Sequence, residues 1–198
     1  MRSGVILAGG KSTRINTNKS MVQIGNKKMI EHVRDNLSGI VDEVLVVAGD
    51  MGQRDKISTV IYGTSLTHDP VIGYGPVAGI LAGLQSAKGD YAMVVACDMP
   101  FVNPDVVDFL FSLAEGYDAV VPRWPDGNIE PLHAIYKRNS TIKACESAIE
   151  RDDRRIISPL NALSKVRYVS IEKIKEIDPE LKTFINVNTM ADLERASL

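Results

Sequence analysis

The sequence alternates short apolar runs with segments whose apolar residues recur at helical spacing, and this alternation restricts the fold more than any other feature. Apolar runs of strand length occupy residues 4–8, 42–49, 59–62, 91–100 and 118–122, and helical segments occupy 27–40, 75–87 and 104–115. The alternation predicts right-handed crossovers and a mainly parallel sheet that helices cover on both faces. In such a sheet, ligands bind outside the carboxyl ends of the strands.

The first strand ends in the sequence LAGGKSTRINTNK, which combines glycine with positive charge. Gly9 and Gly10 can adopt a positive φ and can bring backbone N–H groups close to an anion. Arg14 and Lys19 add cationic side chains. The spacing fits neither the G-x-x-x-x-G-K-[ST] phosphate loop nor the G-x-G-x-x-G fingerprint. The alternative is a glycine turn with surface cations.

Two further strand ends carry carboxylates. Asp98 follows the apolar run that begins at residue 91, and a carboxylate in that setting is costly unless it is paired or binds a metal. Mg²⁺ favours one or two carboxylates together with substrate phosphates. Asp69 follows the predicted strand at 59–62 and precedes a glycine-containing loop that could fold over a ligand. The alternatives are a turn cap for Asp98 and a solvated turn residue for Asp69.

These strand ends would meet at one crevice, where a nucleoside triphosphate with Mg²⁺ needs both backbone donors and a metal-binding carboxylate. The formal net charge of the 198-residue chain is −2, so an anion site has to be built locally. The same balance argues against nucleic acid and anionic membranes as partners.

The remaining composition favours one cytoplasmic domain. Cys97 and Cys145 are far apart and in no metal-binding spacing, so we expect no disulfide framework, and the apolar run around Cys97 predicts that its side chain is buried. No apolar stretch approaches the roughly 20 residues that span a bilayer, and the first residues do not form a signal peptide. A chain of this length favours a single domain.

Six segments together resemble the molybdenum cofactor guanylyltransferases, within the larger nucleotidyltransferase superfamily. They are LAGGKSTR…NK, GPVAGILAGL, CDMPFV, VVPR…PLHAIY, DDRRI and FINVNT. The resemblance implies a three-layer, Rossmann-like α/β nucleotidyltransferase fold with a mainly parallel mixed sheet. It also implies a nucleotide-binding part at about 1–100 and an acceptor-binding part at about 101–198.

The family transfers GMP from GTP to the phosphate of Mo-molybdopterin and releases pyrophosphate, so the resemblance implies GTP and Mo-molybdopterin as substrates and Mg²⁺ as cofactor. It places Asp69 at the nucleotide, Lys19 at the phosphates and Asp98 at the metal. Leu7, Ala8 and Gly9 would line the nucleotide, with Gly10 adding backbone donors and Arg14 adding charge. Transient contact with molybdoenzymes or their chaperones is also expected.

The acceptor side is assigned less directly. Asn186 and Asn188 match family asparagines near the pterin and the metal, and their spacing puts both side chains on one side of an extended segment. The alternative is that they are turn or cap residues. Arg154 could reach the acceptor phosphate, although a solvated charge run explains it as well. Trp124 and His133 could hold a flat pterin, and a surface hairpin is the alternative that we favour for Trp124.

Two departures from the family pattern affect the nucleotide site. The segment between Arg14 and Lys19 lacks the usual methionine-glycine pair, is shortened, and has Asn18 where the family has aspartate. The second strand ends in VVAGD, without the asparagine that many relatives have there. Both changes affect nucleotide affinity more than reaction type.

Three other functions stay open on the sequence. The chain could transfer a nucleotide to another phosphorylated acceptor, such as cobinamide phosphate, a sugar phosphate or a methylerythritol intermediate. A cytidylyl-transferring enzyme is disfavoured, since such relatives tend to have alanine at the position of Gly9. A non-catalytic GTP-binding module is the third.

Overall fold

The computed structural model describes residues 1–9, 19–69, 73–188 and 192. Within these residues the chain forms nine strands and seven α-helices. The strands are Arg2–Leu7 (β1), Gln23–Ile24 (β2), Lys27–Lys28 (β3), Glu43–Ala48 (β4), Ser65–His68 (β5), Tyr91–Ala96 (β6), Ala119–Arg123 (β7), His133–Lys137 (β8) and Val166–Ser170 (β9). The α-helices are Met29–Ser38 (α1), Met51–Ser58 (α2), Pro76–Ser86 (α3), Pro104–Ser112 (α4), Arg138–Glu150 (α5), Ile157–Ala162 (α6) and Ile171–Lys175 (α7).

Seven strands form one mixed sheet in the order β5-β4-β1-β6-β8-β7-β9. The first four strands in that order are parallel. Strand β8 is antiparallel to both β6 and β7, and β9 is parallel to β7. The prediction of an α/β fold with a mainly parallel mixed sheet is therefore confirmed.

The helices cover the two faces of this sheet, which gives three layers. Successive strand residues point to opposite faces, so Ile6 joins one core and its neighbours Val5 and Leu7 join the other. Helices α1, α2, α4 and α7 contribute to the core that contains Ile6, whereas α3, α5 and α6 contribute to the core that contains Val5. Strands buried on both faces explain the continuous apolar runs in the sequence.

The start of α4 matches its sequence signal. Asn103 Oδ1 accepts a hydrogen bond from the Asp105 N–H at 2.9 Å, and Pro104 occupies the first turn. An N-cap oxygen satisfies one of the backbone donors that a helix start leaves free, and proline there loses no hydrogen bond. The helix predicted over 27–40 instead begins at Met29, because residues 27–28 pair with β2 in a short hairpin.

The strand predicted at 59–62 is wrong. Thr59 is the C-cap of α2, and Ile61 is buried against the core as the chain leaves the helix. The strand that pairs with β4 lies later, at Ser65–His68. Ile57 is the one buried residue of α2, so this helix lacks the apolar period by which a helix is recognised in a sequence. Among the described residues, no helix is long and apolar enough to cross a membrane.

Helix α3 packs closely against the sheet at one of its glycines. A Cβ built on Gly83 would lie 2.4 Å from Val5 Cγ1 and 3.1 Å from Val47 Cγ2, both of which belong to buried residues. A Cβ on Gly79 would lie 3.4 Å from Leu7 Cδ2, an ordinary contact. The close approach of α3 therefore depends on Gly83 rather than on Gly79.

We expect Gly83→Ala to lower the free energy of unfolding by about 1–3 kcal/mol, because the added methyl forces α3 away from β1. Gly79→Ala is the matched control in the same helix, and it should be neutral or stabilise by up to about 1 kcal/mol through helix propensity. Urea unfolding of both variants measures the difference. Equal effects of the two substitutions would contradict this account of the packing.

Candidate active site

The carboxyl ends of the four parallel strands form one edge, and the strand register brings the expected site residues there. Leu7 pairs with Val47 and Ala96, and Ala48 pairs with His68. Continuing this register puts Gly9, Gly49, Asp69 and Asp98 in one row across the sheet. Asp69 follows β5 and Asp98 follows β6, and three interstrand spacings separate the two residues. Their backbones are therefore roughly 14 Å apart, a distance that suits an extended nucleotide better than a small ion.

Lys19, Asp98 and Asn188 form a compact polar cluster at this edge. Lys19 Nζ lies 3.2 Å from Asp98 Oδ2 and also donates a hydrogen bond to Asn188 Oδ1. The side chains of Lys19 and Asp98 are 22% and 20% exposed, so solvent screens the pair less than an ordinary surface salt bridge. The sequence prediction that Lys19 and Asp98 face one crevice agrees with this geometry.

A small apolar cluster outside the two main cores aligns the three segments that carry these side chains. Ile24, Met29 and Val187 are buried together, and Val22 and Phe101 pack against them. Ile24 follows the 3₁₀ turn that begins at Lys19, Phe101 follows Asp98, and Val187 precedes Asn188. We call this group, Val22, Ile24, Met29, Phe101 and Val187, the site cluster.

Backbone hydrogen bonds fix the same arrangement. The Val187 N–H donates to the Asp98 carbonyl oxygen at 2.8 Å, and the Met29 N–H donates to the Val22 carbonyl at 2.8 Å. The Asn188 N–H donates to Asp192 Oδ2 at 2.9 Å, a contact that the sequence analysis missed. The Val187 bond therefore holds the C-terminal segment beside Asp98, and the Asn188 bond is made within that segment.

Gly9 makes a close backbone contact that the sequence analysis did not predict. Its φ is not in the positive region, so the structure does not use the conformational freedom that glycine offers at this residue. A Cβ on Gly9 would instead lie 3.2 Å from Gly49 Cα and 3.3 Å from Gly49 N, so two glycines let the ends of β1 and β4 approach. Gly10 and Arg14, also expected at the nucleotide, lie outside the described residues.

The contacts of Arg154 lie at another part of the edge. Its guanidinium donates to Asp152 Oδ1 at 3.0 and 3.1 Å and stacks 5.1 Å from the centre of the Tyr74 ring. Tyr74 in turn donates its hydroxyl to Asp152 Oδ1 at 3.0 Å, and this bond lowers the pKa of the Asp152 carboxyl. Arg154 therefore adjoins the 73–75 loop that leads into α3, rather than the Lys19–Asp98 pair.

Of the residues considered for the acceptor, His133 is excluded from ligand contact. It is fully buried in β8, its Nε2 lies 3.2 Å from Thr183 Oγ1, and its ring packs edge-on against Phe184. Burial lowers the pKa of His133 to about 3, so the ring is neutral at physiological pH. Trp124 packs against the same Phe184, whereas Asn186 is exposed.

Cys97 is a buried thiol, as expected, and Cys145 is buried as well. Burial, with a smaller contribution from Asp98, raises the pKa of Cys97 to about 12, so it supplies no thiolate nucleophile. Among the described residues, no group of three or more His, Cys, Asp or Glu side chains could hold a metal ion. A metal at Asp98 would therefore take further oxygen ligands from the substrate, which is how Mg²⁺ is commonly bound.

Sequence comparison identifies a family and close relatives. Residues 4–166 match the model of the MobA-like NTP transferase domain. The chain is 38% identical to a Methanosarcina mazei protein named "Probable molybdenum cofactor guanylyltransferase", over 98% of this chain and 88% of that protein. A protein of the same name from Natronomonas pharaonis is 39% identical, over 98% of this chain and 96% of its own length.

Structural comparison agrees with the sequence. The crystal structure of molybdopterin-guanine dinucleotide biosynthesis protein A from Archaeoglobus fulgidus superposes with a TM-score of 0.85 at 36% sequence identity. The match covers 98% of this chain and 96% of that one. A nucleotidyl transferase from Methanothermobacter, at 18% identity and a TM-score of 0.71, shares the fold.

Proposed function

This chain belongs to the molybdenum cofactor guanylyltransferase family of MobA-like NTP transferases, and from that premise we propose that it transfers GMP from GTP to the phosphate of Mo-molybdopterin. The products are molybdopterin guanine dinucleotide and pyrophosphate. Its membership makes it a nucleotidyltransferase of molybdenum cofactor biosynthesis, and the proposal adds the two substrates, Mg²⁺ dependence and a cytoplasmic location.

The Lys19 ammonium between Asp98 Oδ2 and Asn188 Oδ1 is the observation that carries this proposal. An ammonium held by a carboxylate and an amide oxygen marks where a cation is stabilised, and these are the hard oxygen ligands that Mg²⁺ prefers. Asp98 and Asn188 would hold the ion, which neutralises triphosphate charge when it is bound. Lys19 is then released to contact the phosphates.

The rest of the nucleotide site follows the row of strand ends. Leu7, Ala8 and Gly9 would line the nucleotide, and Asp69, roughly 14 Å from Asp98 along the row, would bind its nucleoside end. Gly10 and Arg14 would complete the phosphate side with backbone donors and charge. In this proposal residues 1–100 hold the nucleotide and residues 101–198 the acceptor.

The chemistry needs positioning and charge neutralisation from the protein. An oxygen of the acceptor phosphate forms a bond to the α-phosphorus of GTP, and the bond to the bridging α–β oxygen breaks. Pyrophosphate leaves with that electron pair. A phosphate dianion is already a nucleophile, so no general base is required, which fits the burial of His133. Lys19 stabilises the charge that develops as the bond breaks.

The acceptor would bind beside Asn186 and Asn188, on the C-terminal segment next to Asp98. Asn186 is exposed, and its Nδ2 donates to the Phe184 carbonyl at 3.3 Å. Arg154 would reach an acceptor phosphate only by leaving Asp152 and Tyr74. Contact with molybdoenzymes or their chaperones during product transfer remains part of the proposal.

Pyrophosphate release with Mo-molybdopterin tests the reaction and the role of Asp98 together. We expect GTP to be preferred over ATP, CTP and UTP, and Asp98→Asn to lower turnover more than about a hundredfold, because the metal loses its charged ligand. Asp55→Asn, an exposed carboxylate on α2, is the control and should keep normal activity. A preference for CTP, or near-normal turnover by Asp98→Asn, would contradict the proposal. Tight GTP binding without any product would favour a binding module instead.

Metal binding without nucleotide tests the exchange of Lys19 for a cation. Lys19→Met removes the ammonium that competes for Asp98 and Asn188, so we expect Mn²⁺ affinity in the absence of GTP to rise roughly tenfold while turnover falls. Electron paramagnetic resonance of free Mn²⁺ measures the affinity. Lys175→Met is the control, since it also removes the lysine that pairs with a carboxylate, that of Glu172 on α7, away from the site. Unchanged or weaker Mn²⁺ binding by Lys19→Met would show that the two cations do not share these oxygens.

A further inference from the structure

The side-chain amide of Gln53 bridges the backbones of two neighbouring strand ends. Gln53 Nε2 donates to the Ala8 carbonyl oxygen at 2.7 Å, and Gln53 Oε1 accepts from the Gly49 N–H at 2.7 Å. Gln53 lies in α2, a helix that the sequence analysis did not predict. We propose that Gln53 is a positioning residue for the nucleotide, a role that rests on the function proposed above.

The bridge stands where the sheet would otherwise have its next hydrogen bond. The Ala8 N–H donates to the Val47 carbonyl at 2.8 Å, and a continuing parallel ladder would next run from the Gly49 N–H to the Ala8 carbonyl. Both of those groups bond to the Gln53 amide instead. A primary amide has the same donor and acceptor as a peptide group, so Gln53 replaces one rung of the β1–β4 ladder.

The amide is itself held in place by the start of α2. Asp50 is the N-cap of that helix, and its Oδ1 accepts from the Gln53 N–H at 2.7 Å. Gly49, Asp50 and Gln53 therefore form one local unit in which the cap sets the position of the bridging side chain.

The inserted rung sets the position of Gly9 relative to Asp98. On its other side β1 is held by a direct bond, from the Cys97 N–H to the Leu7 carbonyl at 3.0 Å. The end of β1 is thus fixed by β6 on one side and by Gln53 on the other. Because the Gly9 backbone is proposed to line the nucleotide and Asp98 to hold its metal, loss of the rung should weaken nucleotide binding rather than the chemical step.

Substitution by methionine, which matches the length of glutamine but makes no such hydrogen bonds, tests the role. We expect Gln53→Met to raise KM for GTP roughly tenfold, with kcat within about twofold of the unmodified protein, a change of the size expected when the part-buried bond to Ala8 is lost. Amide hydrogen exchange at Gly49 should quicken in the same variant without nucleotide. Gln85→Met, on the exposed face of α3, is the control and should change neither quantity.

Gln53→Glu tests the bond to Ala8 separately from the bond to Gly49, and it provides a second variant should Gln53→Met fold poorly. A carboxylate still accepts from Gly49 but cannot donate to Ala8, so Gly49 exchange should stay slow while KM rises. Faster Gly49 exchange with unchanged KM in Gln53→Met would show a purely structural rung and overturn the inference. KM should be measured with whichever of the four nucleoside triphosphates the unmodified protein prefers. If that nucleotide is CTP, the GTP assignment is rejected, and the change in KM for CTP in Gln53→Met still tests the role of Gln53.

Discussion

The site depends on the site cluster, the small apolar group that lies outside both main cores. Lys19 is 79 residues from Asp98 and 169 residues from Asn188 in sequence, yet one ammonium contacts both. Burial of Ile24, Met29 and Val187, with Phe101 packed against them, brings together the segments that carry Lys19, Asn188 and Asp98, and no charge–charge attraction at a partly exposed site would do this alone. A hydrophobic contact thus positions a polar site.

The sheet sets the spacing of the site residues along the carboxyl ends of its parallel strands. Parallel pairing of β5, β4, β1 and β6 ends all four strands at one edge, and their register sets Asp69 and Asp98 at opposite ends of the row. Glycines at positions 9 and 49 bring the two middle strands close, and the Gln53 amide sets their separation. In the proposed complex, the spacing of the strands would set the distance along the nucleotide, and the site cluster would lie at the phosphate end.

Much of this arrangement could be predicted from the sequence, because buried parallel strands leave strong apolar runs and their ends must share an edge. That argument put Asp98 after the strand that precedes it in the structure, whereas Asp69 follows Ser65–His68 rather than the strand predicted at 59–62, and the resemblance added Lys19 and Asn188. It failed where the local pattern is weak. Helix α2 buries only Ile57, so both the helix and the role of Gln53 were missed, and the false strand at 59–62 followed from the same ambiguity. The close contact between Gly9 and Gly49 was also missed, because it depends on a partner strand that the sequence alone does not align.

The most direct test of the account is a crystal structure with Mn²⁺ and a non-hydrolysable GTP analogue, in which anomalous scattering locates the metal. The account predicts Mn²⁺ bound to Asp98 and Asn188, the guanosine extending along the row toward Asp69, and the Lys19 ammonium moved from Asp98 to the phosphates. An intact Lys19–Asp98 ion pair, with nucleotide and metal bound elsewhere, would contradict it.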